Sequence, residues 1–154
     1  AGLSHHFPHK QTLLLAVLDR RDELSPARAA LHSGSASTSV RALVTLAEKN
    51  AAHSGLVKLY STLAAESTNP LHPAHEYFVD RYSANRDILQ IVFATLEREG
   101  RLASHVTPRA AAIATVAMMD GLQVQWLLDT DAVDMAKELR RFLEGIVTIE
   151  WDAG

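Results

Sequence analysis

The chain has 154 residues, 47% of them apolar and 21% charged, enough for one domain with a sizeable core and short for two. With no cysteine, it has no disulfide framework, no zinc-thiolate or iron–sulfur chemistry and no thiol nucleophile. Fifteen Lys and Arg against eighteen Asp and Glu leave a net charge of −3, which excludes a generally basic, nucleic-acid-coating chain.

Reading in chain order, Pro8 and His9 precede an apolar helical run over residues 11–18 that ends in the charged residues 19–23. Ser25-Pro26 has the form of an N-cap followed by proline at the first helical position, and Ser33-Gly34 closes whatever turn it starts. Residues 33–39, rich in serine, read as a mobile connector. A second helix carries Val40, Leu43, Val44 and Ala47, and a third carries Leu56, Tyr60, Leu63 and Ala64, stopping before Asn69-Pro70. His72-Pro73 opens the longest helix, predicted over residues 74–99. Phe78, Tyr82, Asn85, Leu89, Val92 and Leu96 repeat along it at alternating intervals of four and three, which makes one continuous face. The helix runs to Gly100, where Arg101-Leu102 has the look of a C-terminal cap.

Thr107-Pro108 repeats the cap-plus-proline signature and starts a helix to about Leu128. Asp129-Thr130-Asp131 is read as the cap of a last helix, with Ala136, Leu139, Phe142, Leu143 and Ile146 on one side and the β-branched residues 146–149 continuing its stripe. No alternating strand pattern and no Asn-Gly hairpin occurs, so the expected fold class is all-α. No uninterrupted apolar run, that of residues 110–114 included, approaches the roughly 20 residues of a membrane helix. The first ten residues lack the layout of a secretory signal. A soluble, cytoplasmic protein without a membrane partner is expected.

Eight histidines raise the question of metal. No histidine has Glu three residues before it, as a carboxylate-bridged di-iron bundle requires, and His-Glu-x-x-His is missing. His72 and His75 fit one helical turn but have no third ligand nearby; the expectation is no metal and no cofactor. Nor is there a Gly-x-Ser-x-Gly elbow, a P-loop or a dinucleotide fingerprint, so nothing points to an enzyme.

Ala1-Gly2-Leu3-Ser4 followed by His5-His6-Phe7-Pro8-His9-Lys10 resembles the end of the DNA-binding domain in TetR-family transcriptional regulators. There an Ala-Gly-(Leu/Val)-Ser turn enters the recognition helix, and an aromatic, proline-containing segment leads into the ligand domain. The two halves of that motif abut here, and the middle of the recognition helix is missing between Ser4 and His5. Residues 55–66 and 72–78, and Asp120-Gly121-Leu122-Gln123-Val124-Gln125-Trp126-Leu127-Leu128 with residues 131–135, are similar to one branch of the family's larger domain. The resemblance implies a helix-turn-helix remnant over residues 1–8 and a ligand-binding and dimerisation domain over residues 9–154.

It further implies a dimeric repressor that leaves its operator DNA when a small, largely apolar effector binds. Gly2, Leu3 and Ser4 would form the turn and helix entry, with His6 and Lys10 on backbone phosphate; His5 and His6 suit DNA contact and plain packing equally. The last two helices would pair with those of a second copy. A small-residue stripe (Ala110, Ala114, Ala117 and Gly121) would allow close approach, and Leu139, Phe142, Leu143 and Ile146 would supply apolar area. The same stripes would also suit the monomer's own core. Tyr82, Asn85 and Leu89 on the long helix, with Met118, Met119, Leu122 and Trp126 on the next, are the expected effector contacts, because an amide on an apolar face needs a partner or a cavity. Packed core explains them as well. The alternative function is an all-α dimeric small-molecule-binding protein with no DNA role.

Overall fold

The longest apolar stripe of the sequence becomes the longest helix. The computed structural model describes residues 10–23, 29–31 and 34–151, and within them lie α1 (Lys10–Glu23), α2 (Ala36–Ala51), α3 (Ser54–Glu66), α4 (His75–Arg98), α5 (Pro108–Leu128) and α6 (Met135–Glu144). Residues 29–31 add one helical turn. The described residues contain no strand beyond a single antiparallel bridge, Leu102 to Val147. The fold is all-α. Residues 1–9, 25 and 26, which carry the DNA-contact motif (apart from Lys10) and the first cap-plus-proline signature, lie outside the described residues.

Helix α4 has 24 residues, about 36 Å at ~1.5 Å per residue. It stops where the glycine signal placed its end. Gly100 has φ of 68°, a conformation a Cβ would oppose. The Arg101 N–H reaches back to the Leu96 carbonyl at 2.8 Å and the Gly100 N–H to that of Glu97 at 2.9 Å, which satisfies carbonyls left over at the helix end. At the start of α5, Thr107 Oγ1 accepts the Ala110 N–H at 3.2 Å and Pro108 occupies the first turn.

Three local expectations are corrected. The serine-rich stretch at 33–39 does not form a connector throughout: Ser35 caps α2 by accepting the Thr38 N–H at 3.2 Å, and residues 36–39 are its first turn. Ser39 is buried and donates its hydroxyl to the Ala30 carbonyl, so the serines act in capping and packing. The last helix is capped by Asp134, which accepts the Lys137 N–H at 3.0 Å; Asp129 instead closes a local turn on the Asp131 N–H. Residues 146–149 leave the helical stripe after Gly145. Their backbone pairs with the loop after α4, through Ala103 N–H to the Ile146 carbonyl and Thr148 N–H to the Arg101 carbonyl, both at 2.9 Å. That extended conformation suits β-branched side chains.

Apolar burial divides into two regions. The larger gathers Val40, Leu43 and Ala47 of α2, Leu89, Val92, Phe93 and Leu96 of α4, Ala111, Ala112, Leu122 and Trp126 of α5, and Met135, Leu139 and Leu143 of α6. The smaller gathers Leu18 of α1, Leu63 of α3, Ala74 and Phe78. Helix α4 runs through both. Its predicted stripe is buried at Phe78 and again from Leu89 onward, but only half-buried at Tyr82 and Asn85. The interruption marks the site.

Candidate functional site

At that interruption lies a cavity with about 80 Å³ open to the centres of water molecules, room for a handful of them. Its lining is apolar at Leu43 and Leu46 of α2, Val57 of α3, Ile88 and Leu89 of α4, and Val116 and Met119 of α5. Interspersed with these are Asn50, Tyr60, Arg81, Asn85, Asp120 and Gln123. A lining that mixes apolar side chains with convergent polar groups is the usual composition of a small-molecule site.

The polar side is a connected system. The Tyr82 hydroxyl donates to Asp120 Oδ2 at 2.7 Å. Burial is the main cause that raises the Asp120 carboxyl above its ordinary 3.8, with the Tyr82 bond opposing it. Burial likewise pushes the Tyr60 hydroxyl above 10.0. Tyr82 is raised too, first by burial and then by the neighbouring Tyr60 and the bond to Asp120. Both phenols therefore stay protonated at neutral pH, and the Tyr82 hydroxyl acts as a donor. The Arg81 guanidinium lies 5.2 Å from the Tyr60 ring centre and 5.8 Å from that of Tyr77, within cation–π range. It donates to the Tyr77 hydroxyl at 2.9 Å, which donates in turn to Asp19 Oδ1 on α1 at 2.9 Å. A side chain lining the cavity is thus two hydrogen bonds from α1.

Of the expected effector contacts, Asn85, Leu89 and Met119 line the cavity, and Tyr82 adjoins it through Asp120. Met118, Leu122 and Trp126 do not. Met118 and Leu122 face a groove shared with Val133 and Glu138 towards α6, and Trp126 is buried in the larger core. The helical repeat explains the split: 116, 119/120 and 123 follow the three-four spacing of one face, whereas 118 and 122 lie about 100° around. The sequence reading passed over Asn50, Tyr60, Arg81, Asp120 and Gln123. Asp120 and Gln123 carried a signal, as polar residues three apart in the largely apolar second half of α5.

The proposed dimer residues also separate. Ala114, Ala117 and Gly121 are exposed, and a Cβ added at Gly121 meets nothing within 4 Å. On the same helix Ile113, Val124 and Leu128 are 44%, 49% and 82% exposed. Leu139 and Leu143, both at 0%, are corrected: they fill this chain's own core and have no surface left to give a partner. Phe142 and Ile146 are half-buried against that core. Lys10 is the exposed first residue of α1; Gly2, Leu3, Ser4, His5 and His6 lie outside the described residues.

Among the described residues no group of three His, Asp or Glu is placed to hold a metal ion. His72 and His75 shape the turn before α4: His72 Nδ1 accepts the Ala74 N–H at 3.2 Å, and His75 Nδ1 bonds the Ser67 carbonyl at 2.8 Å. The apolar content of α5 exceeds what its short uninterrupted runs suggested. By length and composition Pro108–Leu128 could cross a bilayer, with only 28% of its most apolar window buried. That leaves a long apolar face uncovered in the single chain.

The fold is a helical body with a partly polar cavity among four of its helices. Residues 40–148 match the family described as BetI-type transcriptional repressor, C-terminal. The chain belongs to the TetR family of transcriptional regulators. No curated protein and no solved structure gives a significant match.

Proposed function

We propose that the protein is a dimeric transcriptional repressor that releases its operator when a small, largely apolar effector enters the cavity between α2, α3, α4 and α5. Residues 1–8 belong to the DNA-binding head in this reading, and residues 9–154 form the ligand-binding and dimerisation domain. It is cytoplasmic and works without metal, cofactor or catalysis. The observation that carries the proposal is the chain of contacts from the cavity to α1: Arg81 to Tyr77 to Asp19. Helix α1 follows directly on the segment that resembles the end of a helix-turn-helix domain, so a shift of Arg81 is passed to the element that positions the head.

A two-fold reader needs its two recognition helices one DNA turn apart, and a small swing of α1 in each protomer changes that spacing. An effector drives the change only by its differential affinity for the operator-bound and released forms. The exposed apolar face of α5 supports self-association, since an uncovered face of this kind marks an interaction surface and two-fold pairing of one face with itself is the commonest solution.

The test is selection of DNA from a random duplex library by the full-length protein, followed by operator binding of the Asn85→Leu variant. Enrichment of a two-fold-symmetric site, with operator affinity retained and effector-driven release blunted in the variant, supports the proposal. A protein that binds small molecules but enriches no DNA is instead the all-α binding protein without a DNA role.

A further inference from the structure

The cavity is bordered by a buried acceptor that no donor among the described residues reaches. Gln123 is 8% exposed, and its Oε1 is fully buried with no hydrogen-bond partner among the described residues. It borders both the main cavity and a smaller void beside Ala47, Asn50 and Met119. One helical turn earlier, Asp120 receives the Tyr82 hydroxyl on Oδ2, and among the described residues Oδ1 accepts nothing further. Two acceptor groups thus stand three residues apart on the same face of α5, both lining the cavity. Gln123 Oε1, as a buried acceptor, is costly unless a donor reaches it; Asp120 beside it is half-buried. The cation among the lining residues, Arg81, is engaged by the Tyr77 hydroxyl and two aromatic rings and lies 3.9 Å from Asp19.

We infer that the effector is an amphiphile whose polar end donates hydrogen bonds, a protonated primary amine above all, received by Gln123 Oε1 and Asp120, with its apolar body against Leu43, Leu46, Ile88 and Leu89. This rests on the reading of the cavity as the effector site and adds the chemistry of its occupant. An acid head meets the Asp120 carboxylate and leaves Gln123 Oε1 unpaired. A quaternary ammonium head supplies charge but no N–H. The small volume favours a short chain.

The experiment is calorimetric titration of the full-length protein with four probes of one chain length: hexylammonium, hexanol, hexanoate and hexyltrimethylammonium. Hexylammonium is expected to bind at least about tenfold more tightly than hexanoate or hexyltrimethylammonium, as a charge-assisted bond implies, with hexanol between. Gln123→Met and Asp120→Asn should each remove most of that preference, while Met118→Ala, outside the cavity, should leave it unchanged. Tighter binding of hexanoate overturns the inference and moves the anchor to Arg81. Equal binding of the two ammonium probes overturns it too, because charge alone would then suffice. If all four bind alike, the cavity stands as a ligand site and the donor-headed ligand falls. If none binds at millimolar concentration, the reading of the cavity as an effector site fails, and this inference with it. A preference for hexylammonium that survives both α5 substitutions also refutes the assignment.

Discussion

Replacing Gln123 by Met separates what its unpaired amide oxygen costs from what it does. The side chain is 8% exposed and its Oε1 has no partner among the described residues, so the folded state carries the desolvation of an unsatisfied acceptor, about 1–3 kcal/mol. Methionine has nearly the same length and shape, and near-isosteric swaps of this kind cost under about 1.5 kcal/mol. The net expectation is a gain of roughly 0.5–2 kcal/mol in the unliganded protein. In a domain of 154 residues, 1 kcal/mol corresponds to roughly 2–4 °C in Tm. Urea unfolding at fixed protein concentration should show a higher midpoint with an unchanged slope. The same variant should respond poorly to effector, the usual trade of stability against a functional site. A loss of about 1 kcal/mol or more would refute the reasoning, because it would mean that the amide is a satisfied part of the core.

Asp120→Asn keeps an acceptor for Tyr82 and removes the charge. The folded-state pKa of Asp120 is raised, so between the ordinary 3.8 and that higher value the folded protein holds more protons than the unfolded chain. Stability therefore falls as pH rises through this window; urea unfolding across mildly acidic pH should show a flatter profile for the variant, and an unchanged profile counts against the buried carboxylate. Gly121→Trp should abolish self-association in sedimentation while the helical circular dichroism persists, because an added Cβ there meets nothing in the single chain; a dimer that survives moves the interface off α5. Lys10→Ala in the full-length protein should lower the salt slope of operator binding by about one, as for one lost phosphate contact, with effector affinity unchanged; a slope identical to wild type takes Lys10 off the DNA.

Helix existence was legible wherever a stripe and a stop signal coincided. The repeat from Phe78 to Leu96 and the turn at Gly100 located α4 to within a residue of its caps, and Thr107-Pro108 did the same for the start of α5. Serine was ambiguous because its hydroxyl serves a connector and a cap equally, and only the Thr38 N–H above Ser35 decides between them. Periodicity shows which residues share a face and not what that face meets. Leu139 and Leu143 were therefore grouped with a partner's surface when their neighbours are this chain's own α2 and α5. The cavity was half visible. Asn85 stood out as an amide on an apolar stripe, whereas Arg81 and Asn50 come to it only through the packing of α2 and α3 against α4.

The division of the core into two unequal parts sets where the molecule breathes. Helices that share the larger cluster are held by many mutually buried side chains, Phe93, Leu96, Leu139 and Leu143 among them. Helix α1 is fastened mainly by Leu18 and its few neighbours around Phe78. Opening free energy follows such differences in burial. Backbone amides of α1 are therefore expected to exchange with solvent through partial openings that leave α5 and α6 intact. The cavity sits at the boundary between these two regimes, so whatever fills it adds contacts across the seam and draws the slow and the fast parts of the molecule towards one cooperative unit.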